Sequence, residues 1–109
     1  MNKAAAIYIR TGHACSESVT HQKEATEQYA KAESEADIKE YIDNGFSGIN
    51  MNRPGFNKLN ADIERGLIGK VIVKNISRIS RNQLEYLRWL DECQRNGAAV
   101  ISLNDDITV

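Results

Sequence analysis

The chain has few of the residues that mark metal proteins, disulfide-stabilised secreted proteins or membrane proteins. Its 109 residues include two cysteines, two histidines and one proline. Cys15 and Cys93 lie far apart and match no metal or disulfide spacing, which favours a reducing cytoplasmic setting. His13 and His21 lack a supporting carboxylate pattern, so we interpret them as surface residues and expect no metal site. The sequence also predicts neither a secretion signal nor a membrane span.

An excess of charge of one sign is missing as well. Lysine and arginine number 14 and aspartate and glutamate 15, which gives a formal net charge of −1. The global basic charge of many DNA-binding domains is therefore absent, and binding to a polyanion would depend on a local patch. The hydrophobic content of 41% and the charged content of 27% are typical of one folded globular domain.

Short apolar runs alternate with stretches of helix-forming residues. The runs predict strands over Ala4–Ile9, Ile38–Ile42, Val71–Ile76 and Ala98–Leu103. The other stretches predict helices over Val19–Glu33, Phe56–Arg65 and Asn82–Asn96. Strands separated by helices predict right-handed βαβ units, and hence a three-layer α/β domain with a mainly parallel sheet flanked by helices, flavodoxin-like in layout.

The last predicted helix carries apolar residues at helical spacing. We expect Leu84, Leu87 and Leu90 to face the core. Trp89 lies next to this stripe, where it packs in the core or forms part of a partner surface.

The most informative segment is Ser77–Asn82, where a predicted strand passes into a predicted helix. Arg78 and Arg81 are three residues apart, so both guanidiniums project to one side of a first helical turn whose N–H groups already favour an anion. Ligands of parallel sheets gather at the carboxyl ends of the strands, which adds Arg10 and Arg53 from two other loops. Arginine is suited to bidentate phosphate contact, so the four residues predict a phosphate site. The alternative is four solvated arginines with local salt bridges.

A nucleophile beside these arginines would come from the loop after the first strand. Its candidates are Thr11, Cys15, Ser16, Ser18 and Thr20. The later serines and Thr20 are also typical helix N-caps, and the cysteine is also interpreted as a plain loop thiol. Gln22 follows in the first helical turn, where its amide reaches a phosphate or meets water.

Over nearly its whole length the chain resembles the N-terminal catalytic domain of serine site-specific recombinases, the resolvase/invertase group and the large serine integrases of mobile elements. The matching segments are Ala6–Arg10, Gln22, Tyr41–Gly48, Asn52–Phe56 and Val71–Asn82. Two of them, YIDNGFSG and NRPGF, look most like the large branch carried by transposons and phages.

The resemblance implies DNA cleavage and rejoining in the bacterial cytoplasm, without a metal or nucleotide cofactor. In that family a serine attacks a DNA phosphodiester and forms a transient 5′-phosphoserine link, which a 3′-hydroxyl later reverses, and arginines stabilise the pentacovalent transition state. The catalytic arginines carry over to Arg10, Arg78 and Arg81, and the DNA-phosphate contacts to Arg53 and Gln22. Ser77 stands where many members have an acidic residue, so no acid or base role is assigned to it.

The chain departs from the family at the nucleophile. The pattern Tyr-x-Arg-Val-Ser has its serine two residues after the arginine, and Gly12 occupies that position here. Three explanations of this glycine are open. The protein is a degenerate or naturally inactive member, a glycine variant made to trap DNA without cleaving it, or a member in which Thr11, Cys15 or Ser16 attacks instead. The last alternative ranks lowest, because a misplacement of about 1 Å costs on the order of a hundredfold in rate.

The implied partner is double-stranded DNA, bound by a homodimer or tetramer of the full-length protein. We expect residues 1–109 to be a catalytic domain truncated before the long dimerisation helix and the DNA-recognition domains of the family, without sequence-specific binding of its own. One rival function is a regulatory DNA-binding module that performs no chemistry. Another is a flavodoxin-like domain for a small phosphorylated ligand, although no Gly-rich loop follows the first strand.

Overall fold

The structure is a computed structural model, and it describes residues 3–12, 16–33, 37–46, 53–104 and 107–108. Its strands are β1 (Ala4–Thr11), β2 (Ile38–Asn44), β3 (Ile68–Val73), β4 (Ala99–Ser102) and β5 (Ile107–Thr108). Its α-helices are α1 (Ser16–Ala32), α2 (Pro54–Glu64) and α3 (Gln83–Arg95), and a 3₁₀ helix spans Ile76–Arg78. In the part of the chain described, no helix has the length and apolar character needed to cross a membrane.

The strands form one sheet in the order β2-β1-β3-β4-β5, in which the first four are parallel and β5 runs antiparallel to β4. This confirms the predicted α/β class with a mainly parallel sheet flanked by helices, whereas β5 was not predicted. β1 is buried along its whole length, because helices cover both faces of the sheet. Tyr8 packs in the cluster shared with α2 and α3, and its neighbours Ile7 and Ile9 are buried on the other face, where α1 packs.

The third strand lies three residues earlier in the chain than predicted. Val71–Ile76 was the expected range, but β3 ends at Val73 and Ile76 already belongs to the 3₁₀ helix. Ile76 packs against the edge of the core from the 3₁₀ helix. Hydrophobic periodicity does not distinguish such an apolar residue from one in a strand. The segment that carries Arg78 is therefore a compact loop and not a continuation of the strand.

The inward face of α3 was predicted correctly only at Leu90, which packs against the core, and wrongly at the other two leucines. Leu84 and Leu87 are 58% and 48% exposed, while Tyr86, Trp89 and Cys93 are buried. Aromatic rings bury more area than leucines, and the Trp89 ring packs against an aromatic ring of α2 while its indole N–H donates to an α2 amide oxygen. Trp89 is thus a core residue, and two leucines are left on the surface.

Candidate active site

β1 extends beyond the end of its pairing with β3, so its carboxyl end has a partner strand, β2, on one side only. The register between the two strands ends at the pair Ile7–Ile72, yet β1 continues to Thr11. The Gln22 amide of α1 fills part of this gap, because it donates to the Arg10 carbonyl at 3.0 Å and accepts from the Arg10 N–H at 3.4 Å. Buried backbone groups need such partners, so Gln22 holds the end of β1 in place.

The Arg10 side chain joins the loops that follow two other strands. It is 1% exposed and donates to the backbone carbonyls of Phe46 at 2.9 Å, Ser77 at 2.7 Å and Arg78 at 3.0 Å. Burial, and secondly the nearby Arg53, lower the pKa of Arg10. An arginine keeps its charge under these conditions, so this is a positive charge held beneath the 3₁₀ helix.

Arg53 approaches the same loop from the other side. It is fully buried and donates to the Arg78 carbonyl at 2.9 Å, to the Ile79 carbonyl and to the Tyr8 hydroxyl at 3.0 Å. Its guanidinium carbon lies 4.6 Å from the centre of the Phe56 ring, a cation–π distance. The Arg78 carbonyl therefore accepts from two buried arginines, which fixes the conformation of the loop around it.

A carboxylate that the sequence analysis did not single out organises the start of α2. Asp43, at the end of β2, accepts from the backbone N–H groups of Gly55 at 2.7 Å and Phe56 at 2.9 Å, and from the Tyr8 hydroxyl at 2.7 Å. It therefore caps a helix whose own N-cap residue, Arg53, makes no side-chain cap bond. A Cβ at position 55 would lie 2.9 Å from a carboxylate oxygen of Asp43, so the cap requires a glycine there. An aspartate directly after a predicted strand, eleven residues before the Pro-Gly pair that begins α2, was the available signal.

Arg78 and Arg81 differ in exposure. Arg78 is half-buried and donates to the Arg10 carbonyl at 3.2 Å, whereas Arg81 is exposed. Burial, and then the charge of Arg81, lower the pKa of Arg78, so a bound anion would relieve the repulsion between the two guanidiniums. They do not share a first turn of an α-helix, since Arg78 ends the 3₁₀ helix and α3 begins only at Gln83.

Gly12 follows β1 directly and is exposed. A Cβ built there meets nothing within 4 Å, so a larger side chain fits without displacing a neighbour. Thr11 is 3% exposed, and its hydroxyl donates to the Asn44 side chain at 2.6 Å and accepts from the Gly45 N–H at 2.9 Å. These two hydrogen bonds of the Thr11 hydroxyl hold the end of β2 and the loop after it against the end of β1.

The other nucleophile candidates are only partly described. His13 and Cys15 lie outside the described residues, and Ser16 is described as the first residue of α1 without its side chain. Ser18 accepts from the Gln22 amide at 3.2 Å. Within the described ranges, no group of three or more histidine, cysteine, aspartate or glutamate side chains could hold a metal ion.

The chain belongs to the resolvase family: the family described as "Resolvase, N terminal domain" matches residues 5–109. Similar solved structures come from an integrase and from a site-specific recombinase. The N-terminal catalytic domain of TP901-1 integrase is 31% identical, with a TM-score of 0.90 over 97% of this chain and 82% of that one. A resolvase family site-specific recombinase from Streptococcus pneumoniae is 26% identical, with a TM-score of 0.83 over 98% and 76%.

A curated relative is much longer than this chain. A putative DNA recombinase from Bacillus subtilis (strain 168) is 36% identical over 70 residues, which cover 64% of this chain and 14% of the relative. The chain thus matches a small part of that protein's length.

Proposed function

We propose that this chain acts in DNA site-specific recombination, as the domain that holds a phosphodiester of duplex DNA during strand cleavage and rejoining. The observation that carries the proposal is the convergence of Arg10 and Arg53 on the loop that carries Arg78, with Arg81 close enough to lower the pKa of Arg10 and Arg78. Such a concentration of guanidiniums in a chain of net charge −1 suits a phosphate. Membership of the resolvase family supports DNA as the source of that phosphate. On DNA, the full-length protein is proposed to act as a homodimer or tetramer.

In this proposal two of the four arginines contact the phosphate directly and two act from beneath the loop. Arg81 and the half-buried Arg78 contact the nonbridging oxygens directly, since they are the ones that reach the surface. Arg10 and Arg53 act from beneath, by their charge and by fixing the loop carbonyls. The direct phosphate contacts of Arg10, Arg53 and Gln22 remain predictions, and each requires the side chain to exchange its present partners for a DNA oxygen.

Cleavage requires a nucleophile, and this favours a second candidate function. Gly12 occupies the position of the family's serine, and the hydroxyl of Thr11 is buried and hydrogen-bonded. A domain with these two features binds the phosphodiester and leaves it intact. The second candidate is therefore a DNA-binding or regulatory relative that keeps the arginines and performs no chemistry.

Adduct formation by the unsubstituted protein separates the two candidates, and restoring a hydroxyl at position 12 tests whether the arginines can support cleavage. The open space at Gly12 accommodates Gly12→Ser, so we expect this variant of the full-length protein to form a covalent adduct with its recombination site, detected on a denaturing gel. Gly12→Ala is the matched control, because it adds a Cβ without a hydroxyl. An adduct with the unsubstituted protein, lost in Ser16→Ala, would instead identify a shifted nucleophile. DNA binding by Gly12→Ser without an adduct would support the non-cleaving relative.

A further inference from the structure

A cavity of about 490 Å³ opens beside the arginines and is not used by the proposed phosphate contacts. It lies between the 3₁₀ segment and the first turns of α3. Its lining is apolar at Ile76, Tyr86 and Leu87, and polar at Ser77, Ser80, Arg81 and Gln83. A cavity of this size lies in the range that small-molecule sites occupy, and a mixed lining with few polar groups is typical of them.

Arg81 belongs both to this cavity and to the arginine group. Its guanidinium is exposed, and it acts electrostatically on Arg78. The hydroxyl of the buried Ser80 is engaged, since it donates to Glu85 at 3.2 Å and accepts from the Asn82 N–H at 3.0 Å. The lining therefore offers the Arg81 cation to an anion and carbon surface to an apolar group.

The apolar side of the cavity is not closed by the rest of the fold. Leu87 is 48% exposed, although it lies on the helix with the core residues Tyr86 and Trp89. Apolar surface next to a cation suits a ligand that carries a flat, weakly polar group on a phosphate. A 5′-nucleotide has this composition: an anionic phosphate joined through a sugar to a nucleobase with two apolar faces.

We propose that this cavity binds a nucleobase, with the phosphate of the same nucleotide held by Arg81 in its lining and by the neighbouring Arg78. The proposal rests on the proposed function and extends it, since it assigns a place to the nucleotide attached to the bound phosphodiester. A base inside a duplex is paired and stacked, so the ligand is a base that is unpaired or turned out of the stack. A free nucleotide has the same chemistry and must be distinguished by experiment.

The test compares ligands that share the phosphate and differ in the base. The chain, labelled with ¹⁵N, is titrated with thymidine 5′-monophosphate and with deoxyribose 5-phosphate, and amide shifts are followed by NMR. We expect the nucleotide to bind on the order of tenfold more tightly, as contact with one base typically provides. Leu87→Ala should reduce this ratio severalfold. Leu84→Ala is the matched control, because Leu84 is an exposed leucine of the same helix that does not line the cavity.

A second titration distinguishes DNA from a free nucleotide. A duplex with one unpaired nucleotide should bind severalfold more tightly than the fully paired duplex, and Leu87→Ala should remove the difference. Equal affinity for both duplexes overturns the assignment to DNA. If the base adds nothing in either titration while Arg81→Ala still weakens binding of the paired duplex, the cavity proposal fails and the proposed function stands. If the paired duplex does not bind at all, both fail.

Discussion

Asp43 is the residue through which stability and the candidate site can be tested together. Its carboxylate accepts three hydrogen bonds, from the Gly55 and Phe56 N–H groups and from the Tyr8 hydroxyl. A hydrogen bond to a charged group contributes about 1.5–3 kcal/mol, and a buried donor left without its partner costs a comparable amount. Because these contributions are not additive, we expect Asp43→Ala to lower the free energy of unfolding by about 3–5 kcal/mol.

Such a loss is large for a domain whose total stability is about 5–15 kcal/mol. It corresponds to a fall in Tm of at least about 12 °C, at roughly 4 °C per kcal/mol. The loss also reaches the site, because Arg53 directly precedes α2 and donates to the Arg78 and Ile79 carbonyls. Hydrogen exchange at the amides of the 3₁₀ segment should therefore accelerate in the variant by more than the loss of global stability accounts for.

Urea denaturation followed by far-UV circular dichroism measures the effect. Asp43→Asn keeps one acceptor oxygen and places an NH₂ group against the other donors. Its free energy of unfolding should therefore fall by about half as much as that of Asp43→Ala. Asp91→Ala is the control: Asp91 is 57% exposed and pairs with Arg95 at 2.9 Å on the surface of α3, so its loss should cost less than about 0.5 kcal/mol. A cost below about 1 kcal/mol for Asp43→Ala would refute the cap.

Three further predictions concern other parts of the molecule. Arg81→Ala should weaken duplex binding and reduce the slope of log K against log salt by about 1 without lowering stability. Arg88 is also exposed, and Arg88→Ala should change neither the binding nor the slope. Equal effects of the two substitutions on duplex binding would contradict the phosphate assignment. Gly55→Ala should cost about 1–3 kcal/mol, because its Cβ would lie 2.9 Å from the Asp43 carboxylate, and a neutral result in urea denaturation would show that this approach relaxes freely. Burial, and then the neighbouring carboxylate, raise the pKa of Cys93 from 9.0 to about 12. The unfolded chain therefore loses this proton at lower pH than the folded chain does, so stability should fall as the pH rises from about 9 to 12, less steeply in Cys93→Ala than in the unsubstituted protein.

Local patterns were enough to predict the elements and the direction of the sheet. The predicted strands Ala4–Ile9 and Ile38–Ile42 lie inside β1 and β2. β1 is covered on both faces and is apolar over most of its length, whereas β2 is half-exposed and its apolar residues are interrupted by Lys39 and Glu40. The range of β3 and the orientation of α3 could not be predicted in the same way. The orientation of α3 depends on which side chains fill the space against α2, which its aromatic residues fill better than Leu84 and Leu87. The end of β3 was misplaced because Ile76 packs against the core from the 3₁₀ helix and not from the strand.

The sequence alone determined that four arginines lie near one edge of the sheet, since the carboxyl ends of parallel strands share that edge. It also determined that position 12 has no nucleophilic side chain. Only the tertiary structure decided which arginines face the solvent. Arg10 donates to a carbonyl 67 residues away, and Arg53 to one 25 residues away, so both are buried beneath a loop whose position no local pattern specifies. Arg78 and Arg81 reach the surface because the loop that carries them lies on the side chains of Arg10 and Arg53.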